Sequence, residues 1–156
     1  MILSTLRDTL RADDLDIPPR PTLEAVDLGM YRKSNGTSSS MYKLFLIQHP
    51  PPIGRPSNAI DVVQLEIFGC VQRTNHPDIT RWKQIAQVDL RKKKAHHMSR
   101  KHIDGSVKSS VKIAGFSSGF RYQIVIRGMD ARGKRSLFSK PVYIVPECRE
   151  ENATND

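Results

Sequence analysis

The sequence predicts an all-β fold, a seven-stranded antiparallel sandwich, and three observations predict it. Apolar residues alternate with period two in short segments, most clearly Tyr122-x-Ile124-x-Ile126-x-Gly128, as in a strand with one face on a core. Clusters of Gly, Pro, Asn and Ser separate these segments, where chain reversal needs a preset or positive φ. No helical stretch lies between them, so the strand-helix alternation of a parallel sheet is missing.

Residues 1–17 read as a leader with a short helix over residues 2–13. Leu3, Leu6 and Leu10 recur at helical spacing and Ser4 is placed to cap them. At about three turns it is marginal without a partner, so frayed leader and docking helix are the two readings. Pro18, Pro19 and Pro21 end it, because proline lacks an N–H and restricts the residue before it.

The domain spans residues 18–146. Leu23 to Leu28 is the first strand, and the turn signal Ser34-Asn-Gly-Thr37 follows. Tyr42 to Ile47 is apolar enough for a central strand. The four prolines in residues 49–58 mark a loop. Residues 60–73 form a long third strand with Val63, Leu65 and Ile67 on one face. Residues 80–90 form a fourth, with Trp82, Ile85 and Val88 as its buried contacts, a spacing that fits a helix as well. A basic loop precedes the strand of residues 107–116, then come Tyr122 to Gly128 and Pro141 to Val145. Residues 147–156 read as a solvated tail.

At 156 residues the chain suits one domain, able to bury roughly two-thirds of its unfolded surface. No apolar run approaches the ~20 residues that span a bilayer, so no membrane role is expected. Arg7 and Asp8 interrupt any signal-peptide core, and two distant cysteines, Cys70 and Cys148, fit a reducing compartment. The triplets Asn35-Gly-Thr37 and Asn152-Ala-Thr154 are glycosylation acceptors only in a secreted chain. Net charge is +9, and six cations in residues 91–102 (Arg91, Lys92, Lys93, Lys94, Arg100 and Lys101) carry most of it.

Gly128-x-x-x-x-Gly133-Lys134 has the spacing of a phosphate-binding loop. Such a loop needs Ser or Thr after the lysine and a helix opening there. Arg135 follows instead, and Pro141 with a β-branched run forbids the helix, so the glycines read as a strand end and a hairpin with Lys134 and Arg135 solvated at its tip. His96, His97 and His102 lie in a basic stretch that repels cations, so no metal is expected. Asp61, Glu66, Asp89 and Asp130 are scattered with no pairing implied. The sequence therefore predicts neither catalysis nor a cofactor.

Phe116, Gly119 and Tyr122, the strand Ile124-x-Ile126-x-Gly128, and Asp130, Gly133, Ser136 and Ser139 resemble the end of a fibronectin type III domain. The resemblance covers about residues 18–146 and implies a seven-stranded sandwich of that type. Gly119 would permit a corner, Tyr122 would return its hydroxyl to the upstream backbone, and Gly133 would supply positive φ. Leu46 stands where the family usually has Trp, and Ser118 and Phe120 replace its corner proline and threonine.

Trp82-Lys83-x-Ile85-x-x-Val88, with Tyr122, Asp130, Gly133 and Phe138, is similar to the C-terminal domain of the activating-transcription-factor-interacting proteins. Those are nuclear chromatin cofactors of a histone H3 lysine methyltransferase. The resemblance implies a protein-docking module in the nucleus, partnered by repressor or chromatin proteins. The basic run lies outside that pattern and by its own charge reads as a solvated loop or an import signal. Two other readings stand beside the docking module. The basic stretch suits nucleic-acid phosphates, although no aromatic residue interleaves with it. The fold alone also suits an extracellular adhesion or receptor domain.

Overall fold

A computed structural model describes residues 16–32, 34–36, 38–50, 61–73, 75, 81–92 and 98–146, with backbone only at 98–101. The expected leader helix, the tail, and Lys93 and Lys94 lie outside these residues.

Eight strands are present: β1 (Thr22–Arg32), β2 (Ser38–Gln48), β3 (Val62–Arg73), β4 (Lys83–Asp89), β5 (Met98–Lys101), β6 (Val107–Phe116), β7 (Phe120–Asp130) and β8 (Val142–Ile144). The seven expected strands are all among them. The eighth, β5, corrects the reading of residues 91–102 as a loop, for its backbone pairs with β6 despite its charge. The strands form two antiparallel sheets, ordered β1-β2-β6-β5 and β4-β3-β7-β8. The chain builds two strands in one sheet, crosses, builds two in the other, and repeats.

The core lies between the sheets, where inward positions alternate as period two requires. Leu44 and Leu46 of β2, Leu65 and Ile67 of β3, Val88 of β4, and Ile124 and Ile126 of β7 are fully buried. Phe116 stands edge-on to Tyr42 and Tyr122, with ring centroids 5.2 and 4.9 Å away, and closes one end of the core. Edge-to-face packing sets a positive ring edge on a negative ring face.

Three expected core positions change, two of them because bulges reset the alternation. An extra residue at Val63 interrupts the β3–β7 register, so Val62 packs on the core in its place. Ile85 is the extra residue of β4 against β3 and is 40% exposed. Trp82 precedes β4 and is half-buried, outside the core cluster. A bulge turns the following side chains to the opposite face, which no hydrophobic count along the strand anticipates.

The hairpin after β7 is more tightly bonded than a strand pair alone. Ser136 and Ser139 hydroxyls accept from the amides of Gly128 and Ile126 at 2.9 and 3.0 Å, while their own amides donate to the carbonyls of the same two residues. Phe138 then packs edge-on to Phe68. A Cβ at Gly128 would lie 2.8 Å from Gln48 Oε1 and 3.1 Å from Val62 Cγ1, so both side chains would have to shift to admit one.

Candidate functional site

The two long sides of the sandwich differ. On one, β1 meets β7 and β8 and closes the gap between the sheets. On the other, β4 is an edge strand, and β5 covers only Val107–Ser110 of β6. Among the described residues, Val111–Phe116 therefore presents a second free edge beside that of β4.

A cleft of about 510 Å³ opens between these two edges. Ile85, Ile113, Phe116 and Ile124 form its apolar lining, and the exposed Arg81 and Lys83 add its cations. The bulge at Ile85 produces this arrangement by freeing the side chain to lie across β3. Gly69 admits it, for a Cβ there would sit 3.4 Å from Ile85 Cδ1. Gly115, the extra residue of β6 against β2, has φ near 97° and takes a conformation that side chains resist. Cys70 lines the same cleft, and burial pushes its thiol up, which keeps it protonated and weakly nucleophilic. No group of three metal-ligating side chains occurs among the described residues.

Of the six sequence-predicted cations, Arg91 and Lys92 have described side chains, and Arg100 and Lys101 are placed by backbone register alone. Arg91 folds back on Asp89, donating its amide at 2.9 Å and its Nε at 3.3 Å to one carboxylate oxygen. The amide bond and the guanidinium hold the Asp89 carboxyl below its ordinary value. Lys92 ends the described part of this loop. Arg100 and Lys101 belong to β5, where the register sets Arg100 opposite Lys108 and Lys101 opposite Val107.

Three of the four carboxylates read as unpaired, Glu66, Asp89 and Asp130, are engaged, a correction to the sequence reading. Glu66 is buried on the outer face of β3 and accepts from Arg135 Nε at 2.7 Å and from Arg127 at 3.3 Å. The Arg127 guanidinium also stacks over the rings of Phe68 and Phe138, 4.8 and 4.9 Å from their centroids. Asp130 is buried and pairs with Arg132 at 2.9 Å. Arg132 and Lys134 both bind Asp16, which holds that carboxyl below its ordinary value. Lys134 and Arg135 are thus ion-paired rather than merely solvated, because strands distant in sequence bring acids to them.

The signature residues serve the corner and the hairpin. The Ser117 amide donates to the Tyr122 hydroxyl at 3.0 Å, across the turn where Gly119 has φ near 82°. Gly133 has the same φ, and the Asp130 carboxylate accepts the amides of Arg132 and Lys134. Phe116 and Phe138 are buried.

The sheets and their edges define an all-β, two-sheet antiparallel sandwich protein. No protein-family model matches the chain, and no curated protein matches it.

Proposed function

We propose that this chain is a non-catalytic protein-interaction module that docks an extended peptide of a partner along its open side. The observation that carries the proposal is the apolar cleft set between two free strand edges. A peptide strand added there would satisfy unpaired backbone groups while alternate side chains enter the cleft. Arg81 and Lys83 favour acidic residues flanking the apolar anchor.

The proposal extends to class and compartment. The Tyr122 corner, the positive-φ hairpin at Gly133 and the strand order support a fibronectin type III-type sandwich. Leu46, fully buried, fills the core place that a Trp takes in that family. The likeness of residues 82–88 and 122–138 to chromatin-cofactor domains supports a nuclear repressor or chromatin protein as the partner.

Affinity capture from nuclear extract with the full chain tests the reading, run beside Ile85→Asp and Lys83→Glu. Both residues are exposed on the β4 edge, and a cooperative thermal melt of each variant checks that it is folded. The expected result is a nuclear protein held by wild type and lost from both variants. Capture of no nuclear protein, or capture indifferent to both changes, defeats the proposal.

A further inference from the structure

The outer face of the β1-β2-β6-β5 sheet carries charge that the sequence disperses over 70 positions. Inward residues Leu44 and Leu46 of β2 pair with Val111 and Ser109 of β6. Their neighbours in sequence, Lys43, Phe45 and Ile47 on β2 and Lys108, Ser110 and Lys112 on β6, therefore share the outer face. The register sets Lys43 directly opposite Lys112 and Lys108 directly opposite Arg100. Like charges facing each other across strands destabilise a sheet. Among the described residues no acid forms an ion pair with Lys43, Lys108 or Lys112. Glu24, opposite Phe45 on β1, is the one carboxylate among the described register positions of this face.

Phe45 sits at the centre of the charge. Lys108 Nζ lies 4.5 Å and Lys43 Nζ 5.2 Å from its ring centroid. A cation–π contact at such a half-buried surface position is weaker than a charge-assisted bond from ammonium to phosphate. A phosphate would draw either lysine off the ring and uncover a π face. Lys108 and Lys112 bracket the ring along β6, four residues or roughly 13 Å apart at strand rise. A backbone running along β6 thus meets a cation on each side of one stacked base.

We propose that this face is a binding site for single-stranded nucleic acid, with Lys43, Lys108 and Lys112 on phosphates and Phe45 on a base. An aromatic on a sheet, flanked by cations, is what sequence-tolerant single-strand binding requires. A duplex keeps its base faces stacked inside and offers Phe45 nothing. An acidic peptide would use the lysines and leave the ring without a partner. The site is separate from the cleft and does not rest on the docking proposal.

Fluorescence anisotropy of the full chain with a labelled twelve-nucleotide thymidine strand tests it, across a potassium chloride series. Three phosphate contacts give a log–log salt slope near −2, at about −0.7 per contact on single strands. The Lys43→Gln, Lys108→Gln, Lys112→Gln triple variant is expected to bind at least tenfold more weakly with a flattened slope. Phe45→Leu is expected to lose about tenfold on the thymidine strand and nothing on an abasic strand of equal length. Should Phe45→Leu fail to fold by circular dichroism, the wild-type preference for thymidine over abasic strand gives the same reading. Replacing Arg91, Lys92, Lys93 and Lys94 by Gln should leave that preference intact.

Any of three results overturns the proposal. One is undiminished binding by the triple lysine variant. Another is loss of all binding when residues 91–94 alone are neutralised. The third is equal affinity for a twelve-residue polyglutamate peptide, which would make the face an acidic-peptide site.

Discussion

Tyr122 and Glu66 are each held by one or two polar atoms whose removal has a calculable consequence. The Tyr122 ring packs on Phe116 while its hydroxyl accepts the Ser117 amide. Tyr122→Phe keeps the packing and leaves that amide unbonded, so the loss is about 1 kcal/mol, the net worth of one hydrogen bond. Urea denaturation should show this as a lower midpoint with an unchanged slope. Glu66 is a harsher case, since its side chain is only 4% exposed between Arg127 and Arg135. Arg127 is itself mostly buried, and its Nε has no partner among the described residues. Glu66→Gln strands that guanidinium, and breaking a buried pair from one side costs about 3 kcal/mol. Arg135 is half-exposed and screened by water, so Arg135→Gln should lower stability far less in the same denaturation series.

The strands β5 and β6 carry the element-scale argument. β6 pairs with β2 along its length, but β5 covers only one end of its other edge. Hydrogen exchange should therefore divide β6 in two. Amides of Val107–Ser110 that point toward β5 exchange slowly, while those of Val111–Phe116 that point away from β2 exchange near the rate of open chain. Uniform protection along β6 would remove the free edge on which the docking proposal stands. The seven longer or more apolar strands were legible from alternation and turn residues. β5 was not, because its sequence, Met98-Ser-Arg-Lys101, has no apolar face, and it forms by completing a hairpin. That turn is closed by His102 donating to the Ser106 carbonyl and by Asp104 accepting from the Ser106 amide and hydroxyl.

At the scale of the whole molecule, an ion cluster ties the start of the described chain to its last hairpin. Asp16 meets Arg132 across 116 residues and Lys134 across 118. Its folded value lies below the ordinary aspartate value of about 4, chiefly through Lys134 and then Arg132. A depressed carboxyl adds stability above its unfolded value and loses it as pH falls through the folded one. Asp89 and Asp104 are depressed too and act in the same direction. Thermal melts at pH 7 and pH 3 should show a fall for the wild type, and a smaller fall for Asp16→Asn, whose side chain does not titrate. Equal falls would mean that the cluster contributes nothing in solution. The cluster is exposed, so added salt should shrink the difference between the two proteins.

The sequence by itself determined the strands with apolar faces, the turns between them, and the corner at Gly119 and Tyr122. These depend on side-chain period, on φ and on bonds spanning a few residues, all of which a local reading contains. It also showed that the phosphate-loop spacing at Gly128 and Gly133 lacks the helix such chemistry needs. The tertiary structure alone decided which distant residues meet. Glu66 reaches arginines 61 and 69 positions away, and Lys43 faces Lys112, because strand order and register put them on one face. Bulges at Val63 and Ile85 changed which side chains point inward, and an inserted residue inverts every later position on its strand. The cleft is likewise a property of edges, for it lies where, among the described residues, β5 covers only part of β6 and β4 has a single neighbour.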